Sequence, residues 1–171
     1  NRWDFKLGST PMDLTIESGA YTGDFEFGGL ALTGLTVKDG AATVDLSFAS
    51  PNKAEMSILR YETGASTVKL IGLANANFGT LTFSGGAGDY TLDFSGDLQR
   101  SATATIDAGL CNMILVIPDG VHAVVTVDSG AANVSFGPGW SQSGKVYTQE
   151  GEGPTLTILV NIGAGNLTLT R

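Results

Sequence analysis

The stretch Leu81-Thr82-Phe83-Ser84-Gly85-Gly86-Ala87-Gly88-Asp89-Tyr90-Thr91-Leu92 carries two short alternating runs on either side of a Gly-Ala pair. Leu81 and Phe83 alternate with Thr82 and Ser84; Tyr90 and Leu92 alternate with Asp89 and Thr91. A period of two puts one set of side chains on one face of a strand and the other set on the opposite face. The pair between them recurs along the chain as Gly19-Ala20, Gly40-Ala41, Gly64-Ala65, Gly130-Ala131 and Gly163-Ala164, with Gly109-Leu110 in the same phase. Successive intervals are 21, 24, 22, 23, 21 and 33 residues, so one unit of about 22 residues is repeated.

The flanks keep the phase. Five residues before each Gly stand Leu14, Leu35, Leu59, Leu81, Ala104, Val125 and Ile158, and three before stand Ile16, Val37, Tyr61, Phe83, Ile106, Val127 and Val160. Four after stand Gly23, Val44, Val68, Tyr90, Met113, Val134 and Leu167, and six after stand Phe25, Leu46, Leu70, Leu92, Leu115, Phe136 and Leu169. All but Gly23 are apolar or aromatic. Each unit therefore reads as two half-buried strands meeting at a Gly-Ala corner, where Gly is expected to supply a positive φ and Ala to leave room for the next chain. Such a unit cannot bury its own apolar face, but stacked units can. The expected fold is all-β: a solenoid-like stack of about seven repeats, on the order of 34 Å tall at strand spacing. An antiparallel β-sandwich with Gly-Ala at hairpin turns is the alternative. The expected organisation is one domain over 1–171: an N-terminal cap at 1–12, repeats at 13–136, an insertion loop at 137–154 and a final repeat at 155–171.

Composition agrees. Of 171 residues, 42% are hydrophobic and only 15% charged, and 24 are Gly, which suits short strands and tight turns better than helices. The net charge of −8 and nine scattered basic residues argue against nucleic acid, which needs clustered Lys and Arg. A single cysteine, Cys111, forbids an intrachain disulfide. No apolar run approaches the roughly 18 residues of a membrane helix. With Asn1 rather than Met in front, the chain is expected to be trimmed from a longer one, a cytosolic protein being the alternative.

Chemistry-bearing residues are few. His122 is the one histidine on which a Ser-His-Asp or Cys-His arrangement could rest, and it follows a Pro118-Asp119-Gly120-Val121 turn; it reads as a surface residue. Cys111 lacks the electropositive surroundings of a reactive thiol and reads as a small buried apolar residue. Two before each corner Gly stand Glu17, Lys38, Glu62, Ser84, Asp107, Asp128 and Asn161, a polar outward ladder. Its acids are interrupted by Lys38 and Ser84, and no Asp-rich loop occurs, so it reads as a solvated face rather than a calcium site. No catalytic, cofactor or metal residues are assigned. The candidate binding loop is the one break in the period, Gly137 to Pro154, with Trp140, Tyr147 and Lys145. Its rings could stack on sugars or anchor a partner, or Trp140 could fold back over the last coil. Trp3, Phe5 and Leu7 are expected to cover the other end.

The run from Gly85 to Gly96, the strand and turn Leu115-Val116-Ile117-Pro118-Asp119-Gly120-Val121, and the late insertion with Trp140 and Tyr147 followed by Leu156-Thr157-Ile158 and a closing Gly163-Ala164-Gly165 resemble the toast-rack family. That family is related to the C-terminal domain of LiaF-like cell-envelope stress proteins and to bacterial adhesins built from β-repeats. The resemblance runs from about Trp3 to Thr170 and rests on structural motifs. It implies a bacterial, extracytoplasmic domain associated with the cell envelope, the soluble part of an anchored or secreted protein that meets the membrane only through a segment outside this chain, without catalytic residues to carry over. The expected function is a non-enzymatic scaffold or interaction domain, with a link to stress sensing implied by the resemblance. A carbohydrate-binding or adhesin module is the alternative, and a β-helix carbohydrate-active enzyme stands behind it. No cofactor is expected. Expected partners are a protein or a cell-wall glycan, with self-association through the exposed stack ends.

Overall fold

The computed structural model describes residues 6–171. Seven long strands dominate it: β1 (Met12–Glu26), β2 (Leu32–Ser47), β3 (Met56–Ile71), β4 (Phe78–Asp93), β5 (Ala102–Val116), β6 (Gly120–Phe136) and β9 (Gly151–Thr170). Two short ones, β7 (Trp140–Ser143) and β8 (Val146–Gln149), complete a single sheet in the order β1-β2-β3-β4-β5-β9-β6-β8-β7. The long strands pair in parallel, with Leu14 beside Leu35, Leu35 beside Leu59 and Leu59 beside Leu81.

Parallel pairing of consecutive strands forces each one to fold over. Met12 lies beside Leu32, yet only residues 27–31 separate the strands. A straight strand of 15 residues would run roughly 50 Å, whereas five residues reach at most about 18 Å. Burial shows where the fold falls. In β2, past the irregular start at Leu32 and Gly34, the buried side chains are Leu35 and Val37, then Ala42, Val44 and Leu46. Parity changes between 37 and 42, so the strand turns its other face inward at the Gly-Ala corner. Each repeat is thus one strand bent through the corner, not two separate strands, and the stack of coils encloses a core between its two halves.

The corner glycines do not work through a positive φ. None of Gly19, Gly40, Gly64, Gly86, Gly109, Gly130 and Gly163 has one. They are required because rungs approach closely. A Cβ on Gly64 would stand 2.4 Å from the carbonyl oxygen of Gly40, and one on Gly86 would stand 2.5 Å from that of Gly64. Gly19, on the first rung, has nothing within 4 Å.

The core is continuous and aromatic-rich towards its centre. Tyr61 stacks on Phe83 (5.8 Å between centroids, 19° between planes), and Phe83 meets Tyr90 edge-on at 5.0 Å. Where the strands lapse into loops, side chains continue the hydrogen bonding. Asn52 accepts from the Leu32 N–H and donates to the Leu32 and Ala54 carbonyls, each at 2.8 Å. Arg100 Nη2 donates to the carbonyls of Met56 (2.6 Å) and Asn77 (2.9 Å). Buried loop carbonyls that no strand can satisfy are paired in this way.

The chain order of the repeats is not their spatial order. β9, the last repeat in sequence, lies between β5 and β6, with Asp107 beside Asn161 and Asn161 beside Asp128. The link 117–119 therefore steps over one rung, a rise of roughly 9.6 Å that three residues can span at about 3.3–3.6 Å each. The inward residues of β9 (Leu156, Ile158, Val160, Ile162, Leu167 and Leu169) are all at most 2% exposed. On β6, at the end of the stack, Ala132 and Val134 are half-buried and Phe136 is exposed.

Candidate interaction surfaces

The break in the repeat forms a hairpin. Gly144 (φ +59°) opens the two-residue connection between Ser143 and Val146, the position where hairpin turns need a left-handed residue. β8 runs antiparallel to the first half of β6, with Val125 beside Tyr147, and β7 lies outside it. Trp140 and Tyr147 are 8% and 6% exposed and belong to the core; Tyr147 meets Phe136 edge-on at 5.4 Å. The two rings offered by the sequence for stacking on a sugar are thus turned inward, because the apolar face of β6 has no further rung to cover it. Of the three candidate loop residues only Lys145 is exposed, and it pairs with Asp128 at 2.7 Å, holding that carboxyl below its usual range. The insertion is also shorter than the sequence implies, since 151–154 already belong to β9.

At the opposite end, Trp3 and Phe5 lie outside the described residues, and Leu7 is 40% exposed, so it does not cover the stack. His122 is partly exposed at the start of β6, with Nδ1 3.6 Å from Glu150. Cys111 is buried, as its composition context implies, and its thiol is pushed up by burial and then by the Asp89 charge.

Sequence reading missed a polar network inside the corner. The Asp39 carboxylate accepts from the phenols of Tyr61 (2.7 Å) and Tyr21 (3.4 Å) at Oδ2, and from the Thr63 and Ser66 hydroxyls at Oδ1. Ser66 Oγ in turn accepts from the Ala42 N–H at 2.9 Å. Burial, then the Asp39 charge, pushes the Tyr21 phenol up to about 12; burial, then the hydrogen bond to Asp39, raises Tyr61 further. These phenols stay protonated and hold the carboxylate, so the network ties three rungs together rather than moving protons. The only sequence signal was Tyr61 in an inward column; Tyr21, two residues after Gly19, lies outside the columns read as inward.

The ladders run as the alternation requires. Glu17, Lys38, Glu62, Ser84, Asp107, Asn161 and Asp128 lie side by side in that order. On the other half an amide ladder joins Asp89, Asn112, Asn166 and Asn133, with Asn112 and Asn166 each donating to the preceding rung at 2.9 and 2.7 Å. Among the described residues no group of three or more His, Cys, Asp or Glu could hold a metal. No helix among them is long and apolar enough to cross a membrane.

The outer face of β5-β9-β6 carries a shallow groove of about 270 Å³. Its floor is Thr105, Leu159 and Thr126, and its rim is Asp107, Asn161 and Asp128. Leu159 is 45% exposed, an apolar spot among hydroxyls, carboxylates and an amide. Asn161 Nδ2 donates to Asp107 at 3.3 Å, which fixes the rim. The groove exists only because β9 is intercalated, so sequence order alone could not have assembled it.

No family model and no curated protein matches the chain. Among solved structures, a crystal structure described as that of a putative cell adhesion protein from Clostridium sporogenes ATCC 15579 is similar. It aligns with a TM-score of 0.59 over 91% of this chain and 93% of that one, at 13% sequence identity, a likeness of fold.

Proposed function

We propose that the chain is a non-enzymatic interaction domain displayed at the bacterial cell envelope, with the coil stack as a rigid support and the β5-β9-β6 face as the contact surface. The observation that carries this reading is the groove around Leu159, rimmed by Asp107, Asn161 and Asp128. Binding sites favour an apolar spot set among a few fixed polar groups. The envelope setting is supported by the fold likeness to a protein described as a cell adhesion protein and by the resemblance of the repeat motifs. The burial of Cys111, with its thiol pushed up, argues against a cysteine nucleophile. A link to envelope stress sensing rests on the motif resemblance alone.

The groove also favours one occupant class, a cell-wall glycan. Carboxylates and the amide offer acceptors and donors to hydroxyls, and Leu159 offers an apolar contact to a ring face. The test is co-sedimentation of the purified chain with peptidoglycan sacculi, together with a glycan array. Wild type should bind, and Leu159→Ser with Asp107→Asn should weaken binding without altering the circular dichroism spectrum. Equal binding by the variant would remove the groove from the reading, and release of soluble sugar by the wild type would overturn the non-enzymatic assignment.

A further inference from the structure

The two ends of the stack are finished differently. At the β6 end the chain covers the first half of the strand itself, β8 running antiparallel to β6 over 123–126 with Trp140 and Tyr147 folded over the core. At the β1 end no strand among the described residues pairs with the outer edge of β1. Leu14, Ile16 and Phe25 are only half-buried there, whereas their partners one rung in (Leu35, Val37 and Leu46) are at most 1% exposed. An open parallel edge presents free backbone N–H and C=O groups as well as apolar side chains.

Charge says what fits. β1 carries Asp13, Glu17, Asp24 and Glu26 and no basic residue. Further in, the same columns are compensated: Lys38 pairs with Glu62 at 3.7 Å and Lys69 with Asp45 at 4.0 Å. Lys38 stands beside Glu17 in register but comes within 4 Å of Glu62 and not of Glu17, and Asp24 stands beside the like-charged Asp45. Glu26 is held by Ser47 and the backbone N–H groups of Gly28 and Ala49. Among the described residues Glu17 and Asp24 have no cationic partner within 4 Å. A rung laid on β1 with cations in these two columns, seven residues apart, would continue the alternation of sign in the Glu17 column and offset the like-charged Asp24 and Asp45 in the other. A second copy of the chain would bring the same carboxylates, which are unfavourable set directly opposite one another, or, by its β6 end, Asp128 already paired to Lys145 against Glu17 and the neutral Ser135 against Asp24.

We propose that the β1 edge docks a basic extended segment of another protein, which adds to the stack as a further parallel rung with cations against Glu17 and Asp24. This is strand addition at an open edge, with the backbone supplying affinity and the charge columns supplying choice. The surface is separate from the β5-β9-β6 groove, so either can fail alone.

The probe is a fluorescent 16-residue copy of β2 (residues 32–47) carrying Asp45→Lys, because its Lys38 and new lysine fall in the two columns by the register of β2 on β1. A control peptide carries Glu at both positions. In fluorescence anisotropy with the full chain, the basic peptide should bind saturably and weaken with added salt. Glu17→Lys with Asp24→Lys should lower the affinity by about tenfold or more, the size of a lost charge pair at an interface. Both residues are exposed, so the variant should fold, which circular dichroism would check. No binding up to about 1 mM, or equal binding to the charge-reversed chain or by the control peptide, would overturn the proposal and leave the carboxylates as guards of the edge. Self-association of the wild type that occludes the peptide would overturn it in favour of a second copy.

Discussion

Substituting Gly64 and Gly19 by alanine tests whether rung-to-rung approach is what fixes the corner. The two positions are equivalent in the repeat but not in space. At Gly64 the new methyl carbon would lie 2.4 Å from the Gly40 carbonyl oxygen, and ordinary contact begins at 3.4 Å. The rungs would have to separate locally by about an ångström, against a ladder spacing of only about 4.8 Å. Overpacking of this kind costs about 1–3 kcal/mol. At Gly19 nothing lies within 4 Å and φ is not left-handed, so alanine mainly restricts the unfolded chain and should be neutral or stabilising by about 0.4–1 kcal/mol. For a chain of this size Gly64→Ala should therefore lower Tm by about 2–12 °C, while Gly19→Ala holds or raises it. Urea unfolding followed by far-ultraviolet circular dichroism would report both, with unchanged m showing that stability and not the unfolded state has moved. If the two variants agree within about 0.5 kcal/mol, close approach at the corner is not the constraint.

The tyrosines give a paired test: Tyr61→Phe removes a donor to Asp39 and should cost about 1.5–3 kcal/mol. Tyr90→Phe removes a buried hydroxyl that has no hydrogen-bond partner and should be neutral or stabilising; a loss as large as that of Tyr61→Phe would show the hydroxyl to be satisfied. Because burial raises the Tyr21 and Tyr90 phenols from 10.0 to about 12, the native state holds these protons more tightly than the unfolded chain. Their contribution is complete below pH 10 and is lost as pH rises through 12, so the urea midpoint should fall across that window; a flat midpoint would contradict the burial assignment. Cys111, buried with its thiol raised, should react with a thiol reagent only on the timescale of unfolding, and rapid labelling in native buffer would refute its burial.

Some elements were legible because they depend on local spacing. The columns at −5, −3, +4 and +6 from each corner Gly predicted which residues are inward, and Leu35, Val37, Val44 and Leu46 show it on one rung. The outward ladder from Glu17 to Asp128 was legible for the same reason, apart from its order. Trp140 and Tyr147 were legible only as two alternatives, since an aromatic in an irregular segment looks the same whether it faces a ligand or the core. The Asp39 network was not legible, because its four donors come from the two rungs on either side of Asp39, and only parallel registration brings Tyr21, Tyr61, Thr63 and Ser66 to one carboxylate.

The repeat, the inward and outward sets and the place of the corners follow from local spacing, because side-chain alternation acts over a few residues, while the reason for glycine at the corners lies in the neighbouring rung. Tertiary structure decided which rung is neighbour to which. β9 takes the interior position between β5 and β6, where both of its edges are paired and its larger aliphatic set, ending in Ile162, is buried; β6, with Ser129 at the matching position, is left at the end under the β7-β8 hairpin. Any rung can pair with any other through the same backbone groups. The choice falls on the arrangement that removes most apolar surface from water, a property of the whole stack and of no single repeat.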